Sequence, residues 1–182
     1  MFVEYLIAGI KHVLPLGLDH VLFIIALCLS TDQFKSALIL ATLFTIAHSI
    51  TLAIGYFNVA SYNQRLIEVL IAISIFILAI QNTLPNSSDK FKPWVVFGFG
   101  LIHGLGFSSA LKEYGLIKND LVISLAGFNI GVEIAQVIII LVVSIILFML
   151  DKYNWAAVAK KYSSFVIAII ALIWTFQRLN TL

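Results

Sequence analysis

A chain of 182 residues in which 62% are hydrophobic and 11% charged, with a mean hydropathy of +1.07, does not have the composition of a soluble globular domain; such domains average about 45–50% apolar and about 25% charged residues. The net charge of +2 arises from Lys and Arg scattered at the ends of apolar runs, which excludes a nucleic-acid surface. The length accommodates about six spans of roughly 20 residues each, so residues 1–182 read as one transmembrane domain, an all-α six-helix polytopic bundle in a lipid bilayer.

The first apolar segment, Phe2 to Ser30, has no basic amino-terminal stretch and no small-residue cleavage site, so it is expected to remain in the mature protein. Pro15 and Gly17 interrupt it. A broken or re-entrant segment is expected: a short helix over about Phe2 to Val13, then a second from about Gly17 to Ser30. Interrupted backbone is tolerated at membrane depth where it lines a protein-buried cavity. The break puts Asp19 and His20 in a first helical turn, where the positive end of the helix dipole favours a carboxylate.

The second span is expected from about Gln33 to Phe57 and the third from about Asn63 to Thr83, with a turn around Asn58 to Tyr62. Two prolines, two lysines and small polar residues make Asn82 to Pro93 the only substantial loop. A fourth span follows from about Trp94 to Lys112, a fifth from about Leu121 to Leu150 and a sixth from about Ala156 to Phe176. Tyr56, Tyr62, Trp94, Tyr114, Tyr153, Trp155 and Trp174 fall near span ends, as an interfacial aromatic belt requires. Six spans put both termini on one side. Lys35, Lys90, Lys92, Lys152, Lys160 and Lys161 lie on the opposite side from Arg65, Lys112, Lys118 and Arg178, so the positive-inside rule leans towards termini outside the cytoplasm of a bacterial inner membrane.

Polar side chains inside these runs carry the functional signal. A charged residue at a helix centre costs about 2.5–3.5 kcal/mol on insertion scales, so a polar group at that depth is by default a site candidate. Asp19, His20, His48, His103 and Glu133 each fall within such a run. Thr45, His48, Ser49 and Leu52 share a helix face, with Thr42 one turn back. Asn129, Glu133 and Gln136 form a second stripe, and the pairs Gly100/Gly104 and Gly127/Gly131 provide the small-residue spacing that lets helices approach closely. Imidazoles and carboxylates without thiolates suit zinc, nickel, iron or copper(II). His20, His48, His103, Asp19 and Glu133 are therefore the candidate metal ligands, while His12, Thr45, Ser49, Asn129, Gln136 and Glu68 are candidates for outer-shell or pathway roles. Cys28, the one cysteine, reads as a small buried hydrophobe.

Five blocks in order carry a family resemblance: His12-Val-Leu-Pro-Leu-Gly17-Leu-Asp19-His20, Phe44-Thr45-Ile-Ala-His48-Ser49-Ile-Thr51, Ile67-Glu68 before an Ala-Ile-Ser run, Phe97-Gly98-Phe99-Gly100-Leu101-Ile102-His103-Gly104, and Phe128-Asn129-Ile-Gly131-Val132-Glu133-Ile-Ala-Gln136. The chain resembles the HupE/UreJ family of small polytopic membrane proteins. The resemblance implies passage of Ni²⁺ or a related divalent ion, and it places His12, Asp19, His20, His48, His103 and Glu133 at the family's polar positions. One departure is visible: His12 is separated from Pro15 by Val13 and Leu14, where hydrogenase-associated members have His directly before Pro.

The residues alone leave other readings open. Three histidines could hold a catalytic Zn²⁺ in an intramembrane hydrolase, with Asp19 or Glu133 as general base and Ser49 near an anionic intermediate. A metal-binding sensor without net transport is a third. Each residue also has a plain role available: Asp19 with His20 as an ion pair at a helix break, His48 and His103 as interhelical hydrogen-bonding groups, His12 and Glu68 at an interface. The oligomeric state stays open.

Overall fold

Pro15 cannot donate a backbone hydrogen bond and disfavours helix in the residue before it, so the first apolar run has to break there. In the computed structural model, which describes residues 2–57, 62–84, 92–113 and 121–181, it does. Helix α1 covers Phe2–Val13 and α2 covers Leu18–Leu29, bent by 71° across the break. The remaining helices are α3 (Phe34–Tyr56), α4 (Gln64–Gln81), α5 (Lys92–Glu113), α6 (Leu121–Asp151) and α7 (Ala156–Leu179), and there are no strands among the described residues. The turn expected over Asn58 to Tyr62 lies mostly outside the described residues, as do most of the loop Asn82 to Pro93 and the belt and charge positions Tyr114, Lys90 and Lys118.

Four helices, α3, α4, α6 and α7, are long and apolar enough to cross a membrane, and the bent α1–α2 pair qualifies as a fifth if it is one span. The protein is an integral membrane protein. At 1.5 Å per residue the 31 residues of α6 extend for about 46 Å, longer than a hydrocarbon core of about 30 Å, so α6 must tilt or project from the bilayer. Its outward face, with Ile134, Val137, Ile138, Leu141 and Val142, is exposed and apolar, and so is that of α7 with Phe165, Val166, Ile169 and Ile173. These are the faces that lipid tails would cover.

Lipid is as apolar as a leucine side chain, so association between the helices has to come from close packing and from interhelical hydrogen bonds. Glycines supply the first. A Cβ at Gly104 or Gly100 of α5 would fall on the backbone of α3 at His48 or Phe44, and a Cβ at Gly9 of α1 or Gly131 of α6 would fall on a carbonyl of the other helix. Polar bonds supply the second. The Thr51 hydroxyl on α3 donates to the Leu101 carbonyl on α5 at 2.7 Å, and Asn82 donates to the Ala26 carbonyl at 2.8 Å. The Arg178 guanidinium at the end of α7 donates to the Glu68 carbonyl on α4 at 2.7 Å, and Arg65 to the Thr181 carbonyl at 2.6 Å. Lys92 reaches the Ser30 carbonyl at 2.7 Å, and Lys160 pairs with Asp32 at the start of α7. Asp32 is held below the usual carboxylate range by that ammonium.

The resulting core draws on all seven helices, from Val13 of α1 to Ala171 of α7. Phe23, Ile24, Ala26 and Leu27 of α2 have no exposed surface, nor do Phe44, Ala47 and Leu52 of α3. Every one of the chain's histidines lies in or beside this core.

Candidate metal centre

The break between α1 and α2 is what brings the first two histidines together. His12 ends α1 and His20 opens α2, and the turn between them folds back so tightly that a Cβ on Gly17 would meet the His12 carbonyl. The two rings sit 4.5 Å apart, edge to face. His48, at mid-length of α3, lies 5.5 Å from His20 and 5.9 Å from His12, measured between ring centroids. Each of the three residues offers a ligand atom, and these atoms all lie within 4.8 Å of one another. A tetrahedral ion with metal–nitrogen bonds of about 2.0–2.1 Å needs its ligand nitrogens about 3.4 Å apart. Closing around an ion would draw the three rings further together.

The hydrogen-bonding state of the rings matches a ligand role. His12 Nε2, His20 Nε2 and both nitrogens of His48 are buried with no hydrogen-bond partner among the described residues. Buried polar atoms are normally satisfied, and each one left over needs a physical reason. Nitrogen lone pairs converging in an apolar box are what a cation satisfies. Phe107, 3.7 Å from the His12 ring, together with Phe128, Phe23 and Phe44, forms the walls of that box.

Asp19 contributes at one remove. Its Oδ1 accepts the backbone N–H of His20 at 2.9 Å and lies 3.2 Å from His20 Nδ1. With Nδ1–H donated to the carboxylate, Nε2 keeps its lone pair, the carboxylate–histidine arrangement that orients imidazole ligands. Asp19 also lies in the first turn of α2, so its charge interacts favourably with the helix dipole.

His103 on α5 is the neighbour of the triad. Its ring is 5.1 Å from that of His20 and nearly perpendicular to it, packed against Phe44 at 5.0 Å and Phe23 at 5.2 Å. Its Nε2 is 3.0 Å from the Ser74 hydroxyl of α4, and its Nδ1 has no partner. The side chain is 1% exposed.

Glu133 stands in a different cluster. Its Oε1 accepts the Thr42 hydroxyl at 2.6 Å, and Gln136 Oε1 accepts the Thr45 hydroxyl at 3.0 Å, so the polar stripe of α6 meets α3 along a separate seam. Among the described residues Glu133 does not join the group of ligand atoms formed by His12, His20 and His48. Asn129 donates to the Leu125 carbonyl of its own helix at 2.8 Å, and Ser49 to the Thr45 carbonyl at 2.6 Å. Glu68 lies near the start of α4, where its backbone carbonyl takes Arg178. Asp19 is thus hydrogen-bonded to His20, one oxygen of Glu133 to Thr42 with Oε2 left without a partner among the described residues, and Ser49 to its own helix.

His12, an outer-shell or pathway candidate from the sequence, offers one nitrogen of the triad because the tight turn at Gly17 brings the end of α1 against the start of α2. Two further neighbours carry no signal of that kind. Ser74 and Phe107 were given no role. A serine at depth in an otherwise apolar span was the one available signal for Ser74; a phenylalanine among 14 gives none.

The chain is thus an all-helical integral membrane protein whose core encloses an imidazole cluster that could hold a metal ion. The family model described as HupE / UreJ protein matches residues 1–178, and the chain belongs to that family. Neither the curated proteins nor the solved structures contain a match to it.

Proposed function

We propose that the protein binds a divalent transition-metal ion, Ni²⁺ or a related ion such as Co²⁺ or Zn²⁺, and moves it across the bacterial inner membrane. The observation that carries this reading is the convergence of His12, His20 and His48 from three helices with unpartnered nitrogens. Membership of the HupE/UreJ family supports it, since the family implies a nickel- or cobalt-related accessory role. In this reading the chain makes six spans. The bent α1–α2 pair counts as one broken span and the 22-residue α5 as another, with both termini outside the cytoplasm.

The chemistry follows from the donor set. A divalent ion entering the bundle exchanges water for neutral imidazole nitrogens, a substitution that requires those nitrogens to be unprotonated. The Asp19 carboxylate behind His20 compensates part of the ion's charge without binding it directly. Three neutral nitrogens make a weaker trap than thiolates would, and conduction requires release as much as capture. His103, next to His20, offers the ion an adjacent nitrogen.

The test is paired. Metal analysis of the purified protein is expected to give one Ni²⁺, Co²⁺ or Zn²⁺ per chain, and reconstituted liposomes are expected to accumulate that ion. Tight stoichiometric metal without flux would overturn transport in favour of a sensor or hydrolase. Absence of bound metal at any of the three ions would overturn the site.

A further inference from the structure

Ser74 lies on α4, away from every residue of the triad, and it is 1% exposed. Its hydroxyl makes two contacts. It donates to the Ile71 carbonyl at 2.7 Å, one turn back on its own helix, and it lies 3.0 Å from His103 Nε2. A hydroxyl has a single hydrogen and lone pairs for accepting. With the hydrogen directed to Ile71, the oxygen can only accept from His103, so the imidazole proton must reside on Nε2. A neutral imidazole carries one proton, which leaves Nδ1 as the lone-pair nitrogen. The opposite tautomer would make one of these two hydrogen bonds instead of both. It would also leave an N–H donor at Nδ1, a buried atom with no partner.

We propose that Ser74 is a positioning residue that fixes His103 as the Nε2–H tautomer, so that Nδ1 stands as a fourth nitrogen donor beside the His12–His20–His48 triad. His103 lies outside the group of ligand atoms formed by His12, His20 and His48, one step from it: its ring meets that of His20 edge to face at 5.1 Å, and the walls around it are phenylalanines that offer Nδ1 no competing hydrogen bond. The two outer ligand histidines are then set by different devices: Asp19 takes the proton of His20 at Nδ1 and presents Nε2, whereas Ser74 takes the proton of His103 at Nε2 and presents Nδ1. The neutral hydroxyl holds His103 without adding charge, so His103 binds the ion less strongly than the carboxylate-backed His20. That asymmetry suits a ligand that receives and then releases the ion.

The proposal rests on the metal-binding reading above, but its first readout is made on metal-free protein. Histidine-selective ¹⁵N labelling of the full chain in detergent or bilayers, with the His103 signal assigned by its loss in His103→Gln, reports which ring nitrogen carries hydrogen. The wild type is expected to show a protonated Nε2 and a bare Nδ1. Ser74→Ala is expected to release the proton to both nitrogens and to weaken Ni²⁺ or Zn²⁺ binding by about 10- to 100-fold, the usual range for loss of an outer-shell partner. Ser74→Thr, which retains the hydroxyl, is expected to restore both. A wild-type His103 protonated at Nδ1, or an unchanged tautomer in Ser74→Ala, overturns the proposal. A wild type with bare Nδ1 that takes up no metal upholds the tautomer and overturns the proposed function instead.

Discussion

One carboxylate oxygen, Asp19 Oδ1, fixes both the backbone and the ring of His20, accepting the backbone N–H at 2.9 Å and facing Nδ1 at 3.2 Å. A residue in the first turn of α2 thereby aims the imidazole of its neighbour. Asp19→Asn keeps the volume and an acceptor oxygen but removes the charge and allows the amide to present its NH₂. Metal affinity, read by competitive titration with a chromophoric chelator, is expected to fall by about 10- to 100-fold with helical content unchanged. An Asn variant with wild-type affinity would show that the carboxylate charge plays no part.

His12→Ala is expected to be as damaging as His48→Ala, because each supplies one of three nitrogens within 4.8 Å of one another. Both variants should lose bound metal in elemental analysis while keeping their circular dichroism. The Ala at position 48 creates a cavity among buried side chains, so its thermal midpoint should drop further than that of His12→Ala, whose residue is less completely buried. Metal retained by His12→Ala would reduce the site to His20, His48 and His103.

Two glycines on one helix separate packing from chemistry. A Cβ at Gly104 would fall on the His48 carbonyl and the Thr51 hydroxyl, whereas a Cβ at Gly98 meets nothing within 4 Å. Gly104→Ala must push α5 away from α3, an overpacking cost of about 1–3 kcal/mol, and it should displace His48 with the backbone it strikes. Lower thermal stability together with weakened metal binding is expected there, and neither in Gly98→Ala. Equal behaviour of the two variants would contradict the α3–α5 contact.

Much of this arrangement was legible in the sequence because its causes are local. Pro15 dictates the break between α1 and α2, the apolar runs dictate the helices, and the Gly100/Gly104 spacing announces a close helix approach to α5, which the structure gives to α3. Polar residues at depth marked the candidates for the reason that makes them costly. What the residues could not reveal was how the helices pair. The polar stripes of α3 and α6 look alike in sequence, yet His48 turns to the triad while Thr42 and Thr45 turn to Glu133 and Gln136. A 71° bend decides that His12 joins the cluster, and neither that angle nor the partner of Ser74 on another helix is written in any local pattern.

Glu133 offers the sharpest division between the two polar clusters. Its Oε1 is committed to the Thr42 hydroxyl and its Oε2 is buried without a partner, while the imidazole nitrogens gather elsewhere. If the triad alone holds the ion, Glu133→Gln should retain full metal stoichiometry and affinity, since the amide oxygen can still accept from Thr42 and only the charge is removed. The same variant in liposomes then asks a separate question: unchanged binding with reduced flux would assign Glu133 to the route of the ion or of a counter-moving proton, because a carboxyl group exchanges protons and an amide does not. Metal lost from the purified Glu133→Gln protein would instead return this carboxylate to the ligand set and require α6 to move towards the histidines when the ion binds.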